Sequence, residues 1–247
     1  MTLSEINVRE KKFHNQLHDS GGQRYENKFY KALNTLYNDF FIYLEKESIN
    51  KKMLDYGCGA GSYTKKILQF NPSKITAIDI SEKAIEVAKQ KLTNKKNLVE
   101  YRVENCENTK LNSGEYDLIY GAGILHHLDL NKSISEINRL LNKHGKIVFM
   151  EPLGTNPIIN LYRRFTPKSR SSDEHPLIFS DIKFIKHIFH RVEIKYYGFF
   201  TVMFLPFYKY PEKSKLYSLL SKFDRYFLNI PIFRFLAWSI LIKAEKS

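Results

Sequence analysis

Three glycines at alternate positions, Gly57, Gly59 and Gly61, form the part of this sequence best suited to holding a ligand against backbone. Without β-carbons, a tight bend leaves its peptide groups open to close approach. A short apolar strand that ends near Asp55 precedes the bend, and a helix follows, so its first amides are directed towards the same ligand. A second apolar strand leads to Asp79, where a carboxylate can accept both hydroxyls of a ribose. Together these features indicate a nucleoside-containing cofactor.

Histidine and carboxylate side chains supply the other candidate chemistry. His126 and His127 follow the fourth predicted strand and Glu151 follows the fifth, so we expect all three to face one crevice at the carboxyl ends of the strands. His126 is the first candidate for a general base or acceptor-positioning group, and Glu151 is the second. Glu174 and His175 can reach the same crevice from a later insertion.

The sequence does not favour a metal site. His187 and His190 have helical spacing, and Asp173, Glu174 and His175 are adjacent. Neither an H-E-x-x-H pattern nor paired Cys-x-x-Cys spacing is present, so no metal is expected.

Regular alternation of strands and helices positions these residues. Apolar patterning predicts strands at 52–56, 74–78, 98–103, 116–120 and 146–150, with helices at 62–70, 82–92 and 133–141 between them. Ser81 is expected to cap the second of these helices. Further along, helices are expected at 158–165 and at 181–189, the latter capped by Ser180, followed by strands at 192–197 and 238–243. Such alternation predicts an α/β domain.

The order Asp55-x-Gly57-x-Gly59-x-Gly61 resembles motif I of the class I S-adenosylmethionine (SAM)-dependent methyltransferases. It departs from the dinucleotide fingerprint G-x-G-x-x-G, because Ser62 stands where the third glycine belongs. The later runs Asp-Leu-Ile, Leu-His-His-Leu and Lys-His-Gly-Lys-Ile-Val are similar to the small-molecule methyltransferases related to the quinone-biosynthesis C-methyltransferases. The resemblance covers about residues 50 to 150.

This resemblance implies a Rossmann-like doubly wound sheet of seven mostly parallel strands in the order 3-2-1-4-5-7-6, with strand 7 antiparallel. It implies SAM as the cofactor, S-adenosylhomocysteine as the product and no metal. Asn105 and Cys106 match the turn that reads the adenine, and Ile80 matches the apolar face for the same ring. The implied cofactor residues are Asp55, Gly57, Cys58, Gly59, Gly61, Asp79, Ile80, Asn105, Cys106, Tyr120 and Gly121.

We expect one domain with three parts. Residues 1–50, with apolar positions at three- and four-residue spacing, form an N-terminal helical lid. Residues 51–150 form the SAM-binding core, and residues 151–247 supply acceptor-side insertions and the last strands. The acceptor-side candidates are Tyr25, His127, Arg163, Glu174 and His175.

Charge and composition leave two questions about partners open. The formal net charge of +13 favours anionic partners, although the lysines are dispersed rather than gathered in one run. Residues 199–236 are rich in aromatic side chains with interleaved Lys and Arg, and a helix over 214–228 is expected there. This region either closes an apolar acceptor pocket or lies on an anionic membrane.

The two cysteines predict no disulfide framework and a cytoplasmic protein, and no apolar leader or membrane-spanning stretch is recognisable in the sequence. No feature indicates an oligomeric state.

The sequence therefore predicts an enzyme that moves a methyl group from SAM to a small, lipophilic acceptor by in-line displacement. A nucleic-acid methyltransferase is an alternative suggested by the charge. Enzymes that methylate exocyclic base amines usually carry Asn or Asp followed by Pro-Pro and an aromatic residue after strand 4, whereas Tyr120-Gly121-Ala122-Gly123 stands here. A non-catalytic SAM-binding or scaffold protein is the alternative from another class.

Overall fold

A seven-stranded sheet forms the centre of the computed structural model, which describes residues 3–19, 31–92, 94–166, 171, 173–208 and 210–246. The strand order is β3-β2-β1-β4-β5-β7-β6. The first five strands are parallel, and β7 is antiparallel to both of its neighbours, β5 and β6. The predicted order and the antiparallel insertion are confirmed. The strands are β1 Lys52–Tyr56, β2 Lys74–Asp79, β3 Val99–Val103, β4 Tyr116–Ala122, β5 Leu141–Pro152, β6 His190–Tyr197 and β7 Ser239–Glu245.

Helices cover both faces of the sheet, which explains why the central strands are nearly continuous apolar runs. On one face, α2 buries Leu36, Phe40 and Leu44 in a core shared with β1 and β4. On the other face, α5 buries Ile134 and Ile137 in a core that α7 completes. The helices are α1 Glu5–Asp19, α2 Asn34–Glu47, α3 Ser62–Ile67, α4 Glu82–Lys91, α5 Leu130–Leu140, α6 Pro157–Phe165, α7 Phe179–Ile188, α8 Phe200–Met203 and α9 Lys215–Phe227.

The junction of α5 and β5 differs from the prediction. The helix begins at Leu130, because the Asp129 carboxylate accepts the Lys132 amide at 3.2 Å and caps the first turn. It ends at Leu140, and β5 starts at the next residue instead of at 146. His144 and Gly145 therefore lie within β5, although the predicted strand began only after them.

The start of α7 also differs. Ser180 was expected to cap this helix but lies inside it, because the helix already begins at Phe179. The Asp181 carboxylate in the first turn accepts the amide of Ile178, the residue before the helix, at 2.8 Å, and no hydroxyl caps this helix start.

The carboxyl ends of β1, β2, β4 and β5 meet at one edge of the sheet, since parallel neighbours share a direction. Asp55, Asp79 and Glu151 stand near the ends of three of these strands. The fold thus brings together the candidate residues that the sequence separates by almost a hundred positions.

Candidate cofactor and acceptor site

The glycine-rich turn forms an open cradle at this edge. The amides of Gly57 and Cys58 both donate to the Ile78 carbonyl, at 2.9 and 2.8 Å, which holds the turn against β2. Gly57 has φ +77°, and a β-carbon there would come within 2.5 Å of the Ile124 side chain. Gly59 has φ +50°, and nothing lies within 4 Å of the place its β-carbon would take. The space beside the Gly59 backbone is therefore open to a ligand such as a nucleoside.

Asp79 borders the cradle. Its two carboxylate oxygens accept the amides of Gly59, at 2.8 Å, and of Ser81, at 2.9 Å. The neighbouring Ile80 is half-buried, and Gly61, with φ +73°, leads into α3. These positions match those expected of ribose and adenine contacts, whose assignment stays a prediction.

Asp55 lies behind the turn and is only 2% exposed. Its carboxylate accepts the Thr64 hydroxyl at 2.5 Å, which ties the end of β1 to α3. Burial raises the pKa of Asp55 to about 7, while the Thr64 and Tyr120 hydroxyls lower it and the charge of Asp79 raises it further. Tyr120 is fully buried beside Asp55, and Gly121 follows it in β4. Asp55 thus supports the turn from within, although it was expected beside the ligand.

The turn after β3 carries the residues expected to read an adenine. The side-chain oxygen of Asn105 accepts the Glu107 amide at 3.0 Å and keeps a second lone pair. Cys106 is buried, and its carbonyl accepts the Tyr56 hydroxyl. Burial raises the pKa of the Cys106 and Cys58 thiols well above their usual value, so neither is a thiolate nucleophile.

A buried His126–Glu151 dyad lies at the same edge of the sheet, with His126 after β4 and Glu151 near the end of β5. The Nδ1 atom of His126 lies 2.7 Å from Oε2 of Glu151. The other carboxylate oxygen accepts the amides of Ile124 and Leu125, each at 2.9 Å. His126 is 7% exposed and Glu151 is 1% exposed. Because an ionised carboxylate only accepts, Nδ1 carries the proton in this pair and Nε2 is left as an acceptor.

The other predicted acceptor-side residues lie in different surroundings. His127 packs on the His126 ring, with centroids 4.1 Å apart, and its Nε2 lies 3.8 Å from Oε1 of Glu174. His175 reaches the dyad only through its backbone, whose amide donates to the His126 carbonyl at 2.7 Å. The His175 ring is exposed and lies 3.5 Å from Asp181.

Arg163 and Tyr25 complete the predicted set. Arg163 donates to the Leu153 carbonyl at 3.2 Å and to the Asn160 side chain at 2.8 Å, which holds α6 against the end of β5. Tyr25 lies outside the described residues.

The sequence reasoning missed the contacts of α1. This helix carries polar side chains that reach the start of α4, Glu107 after β3 and the 171–174 segment at once. The only pattern in the sequence that could have indicated these contacts was the i, i+4 spacing of Glu10 and His14. The pairs are Arg9–Asp173, with atoms 2.8 Å apart, Asn15–Ser81, at 2.5 Å, Asn7–Glu107, at 3.1 Å, Lys11–Glu82 and Glu10–Ser171.

A cavity of about 420 Å³ lies at the opposite edge of the sheet. Residues at the amino ends of β1, β4 and β5 line it, including Lys51, Asp117 and Asn142. In parallel sheets ligands bind beyond the carboxyl ends of the strands, so we do not assign this cavity to the cofactor.

Comparison with known proteins assigns the central part of the chain. Residues 54–149 match the family described as "Methyltransferase domain". A malonyl-[acyl-carrier protein] O-methyltransferase from Ilyobacter polytropus is 35% identical over 113 residues, which are 45% of this chain and 41% of that protein. A ubiquinone biosynthesis O-methyltransferase from Pelagibacter ubique is 34% identical over 110 residues, 44% of this chain and 45% of that protein. The matches thus span less than half of either relative.

The fold is shared over a greater length. The geranyl diphosphate C-methyltransferase of Streptomyces coelicolor, solved with Mg²⁺, a substrate analogue and S-adenosylhomocysteine, superposes with a TM-score of 0.69 at 13% identity and 100% coverage of both chains. Magnesium protoporphyrin IX methyltransferase from Synechocystis superposes with a TM-score of 0.63 at 14% identity, over 98% of this chain and 100% of that one. None of these relatives supports the nucleic-acid alternative. Residues 54–149 of this chain therefore match a methyltransferase domain, and the chain has the fold of these solved methyltransferases.

Proposed function

We propose that this protein transfers the methyl group of SAM to a small, lipophilic acceptor. The observation that carries the proposal is the presence, at one edge of the sheet, of an open glycine cradle bordered by Asp79 and of a buried His126–Glu151 dyad. The relatives' names, which refer to ubiquinone biosynthesis, geranyl diphosphate and a porphyrin, support a small-molecule acceptor.

The cradle fits an adenosyl cofactor because its backbone is bare and a carboxylate borders it. Asp79 would hold the ribose, and the Ile80 side chain and the Asn105–Cys106 turn would hold the adenine. Bound SAM supplies a methyl group already activated on a sulfonium, so the protein needs no nucleophile of its own. Its residues align the acceptor and exclude water.

His126 is proposed as the group that takes a proton from the acceptor. Glu151 fixes the Nδ1–H tautomer and leaves Nε2 as the acceptor, which is the arrangement of an oriented general base. Glu151 is itself saturated by three donors and almost completely buried, so we assign it to positioning His126 and not to proton transfer. Glu174 borders the same place from the insertion.

The proposed division of the chain into a lid, a SAM-binding core and an acceptor side is arranged around this same site. The α1 helix acts as a lid because its polar side chains meet both α4 and the 171–174 segment. Residues beyond β5 then supply the acceptor side. Both cysteines are free and buried, which supports a reducing compartment such as the cytoplasm.

The exposed face of α9 supports a membrane as the source of a lipophilic acceptor. While Tyr217 and Leu220 are buried, four apolar residues at spacings of three and four residues face outwards with exposures of 37% to 76%. We call Leu216, Leu219, Phe223 and Tyr226 the outer stripe. Exposed basic side chains flank it at Lys215, Lys222 and Arg225. An apolar stripe with basic flanks complements an anionic lipid surface.

Within the described ranges, no helix combines the length and the apolar character needed to cross a bilayer. We therefore propose peripheral contact. Sedimentation with vesicles of phosphatidylglycerol and phosphatidylcholine tests this contact, and the protein should pellet with the anionic vesicles. Phe223→Glu should reduce the pelleted fraction. Asn138→Glu, on another helix, is the control and should reduce it less. Equal pelleting of both variants would contradict the assignment to α9.

Calorimetry with SAM, followed by turnover against lipid extracts, small phenols and RNA, tests the function. We expect SAM binding and S-adenosylhomocysteine release with a lipophilic acceptor. His126→Ala should leave SAM affinity within about twofold and lower turnover by roughly 10²-fold or more. Methylation of RNA alone would reverse the acceptor assignment, and binding without turnover would favour the non-catalytic alternative.

A further inference from the structure

A second group of ligand-type side chains lies beside the dyad and has no part in the methyl transfer described above. Glu10 and His14 are one turn apart on α1 and share a face of that helix. Both meet His127, which follows β4. Oε2 of Glu10 lies 3.0 Å from Nδ1 of His127 and 3.6 Å from Nε2 of His14. The three donor atoms all lie within 4.8 Å of one another.

These separations suit a tetrahedral transition-metal ion. Zinc binds imidazole nitrogen and carboxylate oxygen at about 2.0–2.2 Å, which places two ligand atoms of a tetrahedron roughly 3.3–3.5 Å apart. The observed separations of 3.0 and 3.6 Å lie on either side of that range. The His14 and His127 rings are nearly perpendicular, with centroids 5.3 Å apart, so both nitrogens can approach one point without ring overlap.

The group is buried and lacks the hydrogen bonds that such burial normally requires. Glu10 and His127 are each 4% exposed. Oε2 of Glu10 and both ring nitrogens of His127 make no hydrogen bond of acceptable geometry with any described residue. Buried polar atoms in proteins are almost always satisfied, so the unsatisfied Oε2 of Glu10 and Nδ1 of His127, which lie 3.0 Å apart, indicate a missing partner beside them.

Surrounding groups orient the ligands. The Ser171 hydroxyl donates to Oε1 of Glu10, which leaves Oε2 for the ion. The Glu174 carboxylate lies 3.8 Å from Nε2 of His127, on the far side of the ring from Nδ1. At this distance the carboxylate makes no hydrogen bond to the ring, so it places negative charge behind His127 without fixing its tautomer.

We propose that Glu10, His14 and His127 bind one divalent transition-metal ion of the zinc type. Two imidazoles and a carboxylate are a known zinc donor set, with the fourth position left for water. The ion joins the lid helix α1 to the segment that carries His126. Its role is to hold the lid closed; methyl transfer from SAM needs no metal, and this site is independent of the proposed transfer.

Zinc titration of the chelator-treated full chain, against a chromophoric zinc indicator, tests the proposal. We expect one Zn²⁺ per chain. His14→Ala and Glu10→Gln should each weaken binding by at least about tenfold, the scale on which even groups supporting metal ligands act. His144→Ala, an exposed histidine on β5, is the matched control and should leave zinc affinity unchanged.

Hydrogen exchange of α1 gives a second readout. Zinc should slow exchange across this helix in the wild-type chain and in the His144→Ala variant but not in His14→Ala. His14 is partly exposed, so its replacement is the milder test if Glu10→Gln proves unstable. The proposal is overturned if no saturable zinc binding occurs, or if His14→Ala binds zinc as tightly as the control. SAM affinity measured in the same samples keeps failure of this site separate from failure of the transferase assignment.

Discussion

Replacement of Glu151 by glutamine should separate the orientation of His126 from the stability of the fold. Glutamine keeps one oxygen, which can still accept the amides of Ile124 and Leu125. Its amide group then faces Nδ1 of His126 as a donor, where the carboxylate was an acceptor. The imidazole must therefore move its proton to Nε2, and the atom proposed to take the acceptor's proton is no longer free.

The expected losses of stability and turnover follow from the three hydrogen bonds that Glu151 accepts. Hydrogen bonds to charged groups contribute about 1.5–3 kcal/mol and neutral ones about 0.5–1.5 kcal/mol, so weakening the two amide bonds costs about 2 kcal/mol. Relief of the buried charge offsets part of this cost. Turnover should fall roughly 10²- to 10⁴-fold, the usual contribution of a general base, whereas SAM affinity should change by less than about twofold.

Two assays check Glu151→Gln. Release of S-adenosylhomocysteine measures turnover on the acceptor identified by the panel, and nitrogen NMR of the imidazole reports the tautomer without any acceptor. Glu136→Gln is the matched control, because this buried carboxylate accepts the Thr109 amide at 2.8 Å, the Thr109 hydroxyl at 2.6 Å and the Arg139 guanidinium, away from the crevice. A Glu151→Gln variant with wild-type turnover and an Nδ1–H tautomer would refute the dyad.

Three further predictions concern the cofactor cradle. Asp79→Ala should weaken SAM binding in calorimetry by about 1.5–3 kcal/mol, because the ribose loses a charged acceptor; unchanged affinity would remove Asp79 from the site. Gly59→Ala should weaken SAM binding by tenfold or more, because its new methyl group enters the open cradle. Gly114→Ala is the control: with φ +70° and equally open surroundings, it should lower the stability of the fold by a similar amount but leave SAM affinity unchanged. Because the pKa of Asp55 rises from 3.8 to about 7 on folding, its contribution to stability is complete below about pH 4 and is lost as the pH rises through 7. Because about two pH units lie between pH 5 and the folded pKa, urea unfolding at pH 5 and pH 8 should show about 2.7 kcal/mol of this loss in the wild-type chain and much less of it in Asp55→Asn.

The sequence predicted the cofactor half of the fold well because its signals are local. Strands β1, β2 and β4 are short apolar runs; β2 ends in aspartate, and a glycine directly follows β1 and β4. Ser81 caps α4 as expected, accepting the Ala84 amide at 3.0 Å. The strand order came from the resemblance of the motifs rather than from any local signal. The errors fell where two signals competed, as at Ser180 and Asp181, where both residue types can cap a helix start.

The site was predictable only where residues are near each other in sequence or follow a strand end. His126 and Glu151 were each proposed as catalytic because each follows a parallel strand, but their direct contact depends on the pairing of β4 with β5. The approach of Glu10 to His127 depends on where α1 docks, and neither residue's local pattern contains that information. Asp55 was expected at the ligand and lies behind the turn, since its position in the strand directs it towards Thr64.

The antiparallel insertion of β7 has a consequence for the order in which the molecule assembles. Glu151 pairs in register with Ile240, and β6 reaches the sheet only through β7. While a nascent chain still lacks β7, the strand that carries Glu151 remains a sheet edge and β6 has no partner. The first five strands can associate early, but the wall of the crevice that orients His126 is completed only by a long-range pairing, which is a slow class of folding event.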